Sequence, residues 1–395
     1  MKIAKRLQGI SASPTMAVMQ QAQELRRQGV DIIDLGPGEP DFPTPAPVKQ
    51  AGIDAIANDF TRYTPSAGIK ELRQQIAEKY NQEWGTDFSA ANVVVTCGAK
   101  HAIYDVCMAL FEEGDEVLNP APYWVTFPEV VKMTGAVPID IPTREDERFI
   151  LSIETVRQHL GPKVRGIIVN TPNNPSGAVI PGETIRELAE LARGRDFFVL
   201  FDETYEYFTY GETPHVSLAS FLEKGDANFA LVGSFSKTFS MTGWRIGYLV
   251  APMELAKKIS EFQSHQTGNP PSMGQQAALH ALKQGTEEIL KMKEEYRTRR
   301  ALVLKELKEI PGFSCPPPDG AFYAFPNVSQ CMAAAGIKTS QEFSSFLLEK
   351  ARVATVPGSA FGMEGYIRIS YATSMENLEK AFSRIKEAVS QVAPA

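Results

Sequence analysis

Short, uniformly apolar runs alternate with helical stretches through the middle of this chain. The apolar runs cover residues 92–96, 115–119, 164–170, 197–201, 229–232 and 248–251. Runs of this kind, separated by helices, are typical of strands that are buried on both faces of a mainly parallel sheet. Ligands of such sheets bind beyond the carboxyl ends of the strands. We therefore predict an α/β protein with a site at that edge.

The C-terminal part of the chain has a different pattern. A charged helical pattern runs from about 273 to 307. Strand-like runs follow at 321–325 and 366–371, with a helix near 341–351 between them. These runs alternate apolar and polar residues, which predicts a smaller α+β domain with a solvated face.

The length of the chain, 395 residues, leaves room for two domains, since a domain usually holds about 100–200 residues. We predict a large domain at 45–285. The small domain is expected to join the N-terminal segment 1–44 to residues 286–395. A turn-rich loop at 35–41 is expected to lie over the cleft between the two.

Composition and charge exclude several classes of function. The formal net charge of −7 argues against nucleic acid as a partner, because phosphate binding needs a concentrated positive surface. No apolar run approaches the ~20 residues of a membrane-spanning helix, and residues 1–7 lack the apolar segment of a secretory signal. The cysteines form no C-x-x-C spacing and the histidines no H-E-x-x-H pattern, so we expect neither a disulfide framework nor a metal site. These observations predict a cytoplasmic enzyme.

The segment after the run at 229–232 carries the strongest chemical signal. It reads Ser234-Phe235-Ser236-Lys237, and Arg245 follows eight residues after the lysine. The Ser234 hydroxyl and the Arg245 guanidinium are suitable donors for one dianion. An amine beside a phosphate site is what pyridoxal phosphate (PLP) requires of the lysine that binds it as a Schiff base. The alternative is an ordinary loop lysine beside an unrelated Gly-Trp-Arg-Ile-Gly turn.

Two further strand ends complete a possible PLP site. Gly98 and Ala99 lie at a strand-to-helix junction, where small residues let backbone N–H groups approach a phosphate. Asp202 ends the apolar run 197–201, where an unpaired carboxylate is costly and a protonated pyridine nitrogen would be its partner. The alternative for Asp202 is a turn or helix cap.

Three more side chains are candidates for contact with the PLP ring. Tyr205 and Asn174 are suitable hydrogen-bond partners for the phenolic oxygen of the ring. Trp124 is a candidate for stacking on the ring, although a tryptophan packed in the core is the more common arrangement.

Together these residues resemble fold-type I PLP enzymes, specifically class I aminotransferases and, within them, the bacterial-type aspartate aminotransferases. The resemblance spans nearly the whole chain, and its motifs occur in the family's order. They are Gly38-Glu39-Pro40-Asp41 with Thr44-Pro45, Tyr63-Thr64-Pro65 with Gly68, Pro122-Tyr123-Trp124, Asn173-Asn174-Pro175-Ser176-Gly177, Asp202-Glu203-x-Tyr205, Ser234-Phe235-Ser236-Lys237, Gly243-Trp244-Arg245-Ile246-Gly247 and Ile367-Arg368-Ile369-Ser370. The implied fold has a large domain, with a mainly parallel sheet covered by helices, and a smaller α+β domain. The implied reaction moves the amino group of L-aspartate to 2-oxoglutarate by a ping-pong mechanism.

The resemblance also implies roles for individual residues. Lys237 would carry PLP and move a proton, with Asp202 at the pyridine nitrogen and Tyr205 at the phenolic oxygen as the other catalytic residues. The implied cofactor-binding residues are Gly98, Ala99, Trp124, Asn174, Asp202, Tyr205, Ser234, Lys237 and Arg245. Tyr63 would reach the phosphate bound by a neighbouring subunit, which implies a homodimer with shared active sites.

The implied substrate site has two anion-binding ends. Arg368 would bind the α-carboxylate with two N–H groups, assisted by Asn174 and the Gly38 backbone beside Trp124. The alternative for Arg368 is an exposed arginine on a strand.

At the distal end, animal-type aspartate aminotransferases use an arginine of the partner subunit, but the matching stretch 266–270 contains none. In the bacterial-type subgroup a lysine takes this role, and Lys100 occupies its position, with the hydroxyls of Ser13 and Thr15 as helpers. The alternative is a helix-surface lysine. Lysine is a single-point donor, so larger acids such as prephenate are also expected substrates.

Other functions share the fold and most of the PLP residues. An aminotransferase for aromatic or other neutral amino acids, kynurenine among them, and a PLP-dependent carbon–sulfur lyase stay open. A PLP-sensing transcription regulator is not expected, because fewer than 40 residues precede Gly38 and such a protein needs an N-terminal DNA-binding domain.

Overall fold

The computed structural model of the chain describes residues 1, 3, 4, 7, 9, 10 and 14–392, with the backbone alone at 14–19. The strands are β1 (Ile33–Asp34), β2 (Val93–Thr96), β3 (Glu116–Ala121), β4 (Val137–Pro142), β5 (Val164–Asn170), β6 (Phe198–Asp202), β7 (Phe229–Ser234), β8 (Gly247–Val250), β9 (Tyr323–Ala324), β10 (Val353–Ala354), β11 (Val356–Pro357) and β12 (Ile367–Ser370). The helices are α1 (Pro14–Arg27), α2 (Ala46–Ala57), α3 (Lys70–Trp84), α4 (Ala99–Leu110), α5 (Thr126–Thr134), α6 (Ile153–Gln158), α7 (Gly182–Arg193), α8 (Phe235–Thr238), α9 (Met253–Ser264), α10 (Ser272–Lys283), α11 (Glu287–Lys308), α12 (Ser329–Ala334), α13 (Ser340–Phe346) and α14 (Met375–Ser390).

Seven strands form the central sheet, in the order β2-β8-β7-β6-β5-β3-β4. All neighbouring pairs from β7 to β4 are parallel, whereas β8 runs antiparallel to both β7 and β2. The prediction of a mainly parallel sheet is confirmed. The edge strand β4 was not predicted, because it is largely solvent-accessible and has prolines at 138 and 142 in place of an apolar run.

Successive residues of each central strand point to opposite faces of the sheet and pack in two different hydrophobic layers, one on each face. In β5, Ile167 and Val169 pack in the layer that contains α7, whereas Ile168 packs in the layer that contains α4 and α5. Helices therefore cover both faces of the sheet. This is why the central strands are apolar at nearly every position.

The strand ends meet at one edge of the sheet. Asn170 at the end of β5 pairs with Asp202 at the end of β6. The antiparallel strand β8 begins at this edge, where Gly247 pairs with Ser234 of β7 and with Thr96 of β2. The loops that follow β2, β3, β5, β6 and β7, and the loop that precedes β8, are thereby gathered in one region.

A smaller antiparallel sheet, in the order β11-β12-β9, is formed by the C-terminal part of the chain. The predicted solvated face is wrong for β12, since all four of its residues are buried. Its polar residues, Arg368 and Ser370, are only 2 % and 3 % exposed. Arg368 faces a cavity inside the protein, where it donates a hydrogen bond to Asn174. The Ser370 hydroxyl accepts a hydrogen bond from the Ala372 N–H.

The long helix predicted at 273–307 is two helices. The break lies at 284–286, between α10 and α11, where Gly285 has a φ of +79°. Glycine adopts this left-handed conformation without the steric cost of a side chain, so the chain changes direction there. α10 then packs against α2.

Among the helices of the described residues, none is both long enough and apolar enough to cross a membrane. The domain boundaries at 44/45 and 285/286 stay a prediction.

Candidate active site

A cavity of about 310 Å³ lies at the edge where the strand ends meet. Its lining includes many of the residues that the sequence singled out, from both the central sheet and the small antiparallel sheet. They are Gly38, Ala99, Lys100, Trp124, Asn174, Asp202, Tyr205, Ser234, Lys237, Arg245 and Arg368.

Lys237 lies on α8, the single helical turn that directly follows β7. Ser234 caps this turn, with its Oγ accepting a hydrogen bond from the Ser236 N–H at 3.1 Å. The Lys237 ammonium donates to the Gly38 carbonyl. Burial lowers the pKa of Lys237 to about 8, with smaller contributions from nearby charges. At neutral pH this amine therefore has a far larger unprotonated fraction than an exposed lysine has.

Asp202 is a buried carboxylate at the end of β6. Its Oδ1 accepts a hydrogen bond from the Thr204 N–H at 3.0 Å. Burial raises the pKa of Asp202 from 3.8 to about 6, a rise that the Thr204 hydrogen bonds only partly oppose. The surrounding hydrogen bonds thus do not fully offset the cost of burying the ionised carboxylate. A cationic N–H group bound beside Asp202 would stabilise its ionised form.

Arg245 and the start of α4 form a corner of the cavity. Gly98 has a φ of +85°, and a Cβ built there would lie 2.5 Å from Arg245 Nη2. The Arg245 guanidinium donates to the carbonyls of Cys97 and Thr242. A side chain at position 98 would fill this corner, so glycine leaves it free for a ligand. The corner brings backbone N–H groups of a helix N-terminus together with a guanidinium, a combination that suits phosphate.

Arg368 is a second guanidinium, fully inside the protein. Its Nη1 donates to Asn174 Oδ1 at 2.9 Å and its Nη2 to the Gly36 carbonyl. Its Nε is buried and has no hydrogen-bond partner in the part of the chain that the structure describes. Burial lowers the pKa of this guanidinium, which nevertheless stays charged. A buried cation with an unused donor is suited to a carboxylate ligand.

Lys100 lies at the rim of the cavity, with its Nζ 5.0 Å from the centre of the Trp124 ring. It is solvent-exposed, yet partial burial of its ammonium and the charge of Arg245 lower its pKa. The lysine is therefore directed toward the cavity rim and not spread over the surface of α4. It is a third cation in the site.

The structure does not bring every predicted residue into the cavity. Tyr63 is 94 % exposed and lies outside the lining. Ser13 and the side chain of Thr15 lie outside the described residues.

One lining residue, Tyr323, was missed by the sequence interpretation. It is fully buried on β9, and its hydroxyl lies 2.8 Å from that of Tyr205. The two tyrosines are 118 residues apart in the chain. The run at 321–325 indicated only a strand, so no local signal was available to find the contact.

An amine, a buried carboxylate and two guanidinium groups at the strand-end edge of a mainly parallel sheet form a cavity that is suited to anionic groups beside a reactive amine. The chain belongs to the aminotransferase class I and II family, whose sequence profile matches residues 30–385. This match confirms the family and the fold class expected from the motifs.

The relatives match over essentially the full length. The chain is 41 % identical over 385 residues to an aspartate aminotransferase of Geobacillus stearothermophilus, covering 98 % of both chains. It is 43 % identical over 392 residues to a probable aspartate/prephenate aminotransferase of Aquifex aeolicus, covering 99 % of both. The solved structure of Thermus thermophilus aspartate aminotransferase with maleate is 39 % identical and superposes with a TM-score of 0.93, covering 98 % of this chain and 100 % of that one.

Proposed function

We propose that this chain is a PLP-dependent aspartate aminotransferase. It transfers the amino group of L-aspartate to 2-oxoglutarate, and oxaloacetate and L-glutamate are formed in two half-reactions at one site. The observation that carries the proposal is that the Lys237 amine lies in one cavity with the Asp202 carboxylate and the guanidinium groups of Arg245 and Arg368. The names of the relatives support the same activity.

The residues around Lys237 fit PLP. The Asp202 carboxylate, whose burial is only partly offset by hydrogen bonds, would pair with the pyridine nitrogen. Trp124 would cover the ring face. Tyr205 and Asn174 would contact the phenolic oxygen. When bound, PLP supplies an electron sink that stabilises negative charge on the substrate Cα.

The phosphate would be held in the corner between α4 and β8. Gly98 and Ala99 provide backbone donors at the helix N-terminus, and Arg245 provides a guanidinium. The Ser234 Oγ accepts from Ser236 and keeps its own proton for the phosphate. This group of donors is independent of the substrate site.

Lys237 has a further role as a base. Its lowered pKa, about 8, lets the neutral amine take a proton from the substrate Cα and the ammonium return one. The carbonyl of Gly38 holds the ammonium through a hydrogen bond. The lysine is therefore oriented by the loop that also lies against the substrate site.

Arg368 would orient the substrate by its α-carboxylate. Asn174 and Gly36 hold two of its nitrogens, and the unused Nε faces no competing acceptor in the described chain. Fixing the carboxylate fixes the direction of the Cα–H bond relative to the Lys237 amine. Asn174 and the Gly38 backbone would complete this end.

Lys100 is the residue that favours an acidic side chain on the substrate. Its ammonium stays at the rim beside Trp124, where a second carboxylate would meet it. The Thermus thermophilus relative was solved with maleate, a dicarboxylate. Because an ammonium is a single-point donor, prephenate and glutamate also fit the proposal.

The enzyme is proposed to act as a homodimer with shared sites. Tyr63 is fully exposed, and Ile53 and Ile56 on α2 are exposed large apolar residues. These exposed apolar side chains would be covered if a second copy packed against this face of α2. Tyr63 would then contact the phosphate that a second copy binds.

We also propose a cytoplasmic location. The proposed domains are a large one at 45–285 and a small one that joins 1–44 to 286–395. The four cysteines are free thiols, which is compatible with a reducing compartment. Cell fractionation tests the location.

Reduction with borohydride followed by peptide mapping tests the proposed role of Lys237. We expect the cofactor label on the peptide that contains Lys237. We also expect the fastest rates for aspartate and glutamate when a panel of amino acids is assayed with 2-oxoglutarate.

Lys237→Ala is expected to lose turnover by at least about 10²–10⁴-fold, the usual contribution of a general base. The exposed Lys258 provides the control, because Lys258→Ala removes an amine that does not line the cavity. Label on another lysine, or amine transfer only from neutral amino acids, contradicts the proposal.

A further inference from the structure

Tyr323 is the residue through which the small antiparallel sheet reaches the Tyr205 hydroxyl. It is the first residue of β9, is fully buried and lines the cavity. Its hydroxyl lies 2.8 Å from the Tyr205 hydroxyl, and the centre of its ring lies 4.6 Å from the Arg368 guanidinium carbon. A Cβ on Gly38 would lie 2.6 Å from the same hydroxyl. One side chain thus contacts three groups of the proposed site.

The direction of the hydrogen bond between the two tyrosines decides what Tyr205 can do. A phenol has one proton, so only one of the two hydroxyls donates to the other. If Tyr205 donated, it would offer only a lone pair to the cavity. If Tyr323 donates, Tyr205 keeps its proton for a group in the cavity.

The surroundings favour donation by Tyr323. Within the described residues, neither hydroxyl has a second hydrogen-bond partner. A Tyr323 proton directed away from Tyr205 would therefore have no acceptor in the chain, and an unsatisfied buried donor costs free energy. A Tyr205 proton that is not donated to Tyr323 would, in contrast, have an acceptor in the phenolic oxygen of the proposed cofactor.

We infer that Tyr323 is a positioning residue that donates its hydroxyl proton to Tyr205 and so commits the Tyr205 proton to the phenolic oxygen of the cofactor. The inference rests on the proposed function, in which Tyr205 contacts that oxygen. A phenol that accepts a hydrogen bond is itself a stronger donor. A ring oxygen that receives a stronger hydrogen bond holds the proton of the adjacent lysine linkage less tightly.

The test is a spectrophotometric pH titration of the holoenzyme, which reads the pKa of the lysine–cofactor linkage from its absorption. Tyr323→Phe removes only the hydroxyl and is expected to raise this pKa by about 0.3–1 unit, the range that one hydrogen bond of ordinary net strength can change. Tyr205→Phe is expected to raise it at least as much. The double variant should equal Tyr205→Phe, because Tyr323 acts through Tyr205.

Tyr210→Phe is the matched control. Tyr210 is a buried tyrosine whose hydroxyl donates to the Ala321 carbonyl at 2.6 Å, two residues from Tyr323, and it does not line the cavity. Its removal should leave the pKa of the linkage unchanged. A normal absorption with an unchanged pKa in Tyr323→Phe overturns the inference, and a lowered pKa shows that Tyr205 is the donor. Absence of any lysine-linked absorption in the wild-type protein instead overturns the proposed function.

A second measurement covers the case in which Tyr323→Phe does not fold. 3-Fluorotyrosine placed at position 323 keeps the ring and the hydroxyl but makes the phenol more acidic and a better donor. The pKa of the linkage should then fall. A rise or no change overturns the inference.

Discussion

Lys100 is the residue on which the proposed preference for a dicarboxylate depends. A charge-assisted hydrogen bond contributes about 1.5–3 kcal/mol net, so Lys100→Ser should lower kcat/KM for aspartate about 10- to 150-fold. Alanine and phenylalanine have no distal carboxylate, and their kcat/KM values should change little or rise. Steady-state kinetics with 2-oxoglutarate as acceptor measures the difference.

Arg368→Ala is the comparison for this variant, because every amino acid has an α-carboxylate and all rates should fall. An equal loss for aspartate and phenylalanine in Lys100→Ser would show that Lys100 supports the cofactor and does not select the substrate.

Asp202 is a residue whose burial destabilises the protein when no cofactor is present. Its pKa rises from 3.8 to about 6 on folding, so the folded protein holds this proton more tightly than the unfolded chain does. The stability of the apo protein is therefore unaffected by this group below about pH 4, falls between about pH 4 and 6, and stays lower above pH 6. The folded carboxylate at pH 7 costs on the order of 2–3 kcal/mol, since each pKa unit corresponds to about 1.4 kcal/mol.

Asp202→Asn should accordingly raise the melting temperature of the apo protein at pH 7 and have little effect at pH 4. Calorimetry at the two pH values measures this. Asp226→Asn is a control of opposite sign. Burial alone would raise the pKa of Asp226, but the hydrogen bonds from Arg193 and a backbone N–H together with the charge of Arg193 outweigh it and lower the pKa, so the variant should lose stability at pH 7. The same destabilisation of Asp202→Asn at both pH values would contradict the expected cost.

At the scale of secondary-structure elements, the start of α4 must leave room for a ligand. Gly98→Ala would place a Cβ 2.5 Å from Arg245 Nη2, and it would also strain a backbone with a φ of +85°. We expect the dissociation constant of PLP, measured by fluorescence titration of the apo protein, to rise at least about 10-fold, the effect of losing about 1.4 kcal/mol.

Gly85→Ala separates the two effects. Gly85 also has a positive φ, +71°, at the end of α3, but a Cβ there meets no atom within 4 Å. This variant should lose stability and keep its affinity for PLP. Equal affinities in the two variants would show that the corner at Gly98 is not the phosphate site.

The sequence predicted those elements whose environment is uniform along their length. β5, β6 and β7 are buried on both faces, so their runs of Val, Ile, Leu and Phe indicate strands without further information. β4 is an edge strand with an accessible surface and lacks such a run. β12 alternates polar and apolar residues. Only tertiary contacts decide whether the polar residues of such a strand are exposed to solvent or lie inside the protein, as they do here.

The site shows the same division. Residues at or shortly after the ends of strands, such as Asp202 and Lys237, were predicted because the strand end fixes their location. Tyr323 was missed because its contact with Tyr205 joins two segments 118 residues apart. The break between α10 and α11 was missed because a single glycine within a charged helical pattern is also compatible with one continuous helix.

At the scale of the whole molecule, the exposed Tyr63 predicts sites shared between two subunits. A mixed dimer of Tyr63→Ala and Lys237→Ala chains should have one site with both native residues and regain activity. A mixed dimer of the wild-type chain and a chain with both substitutions should have none. Affinity-tagged heterodimers assayed with aspartate and 2-oxoglutarate measure the two activities.

These two dimers contain the same substitutions in different arrangements, so stability losses affect both alike. Activity confined to the dimer that contains a wild-type chain would place Tyr63 in its own subunit's site and contradict the shared arrangement.

The reversed direction of β8 has a consequence for where the chain tolerates insertions. Because β8 starts at the edge where β7 ends, Lys237 and Arg245 are joined by one short connection with no strand between them. Any residue added between them would displace the amine relative to the guanidinium. The mostly solvent-exposed segment 212–214, by contrast, follows Tyr210 and carries neither group. Length variation in natural or designed relatives should therefore be found in segments of the second kind and be excluded from 238–244.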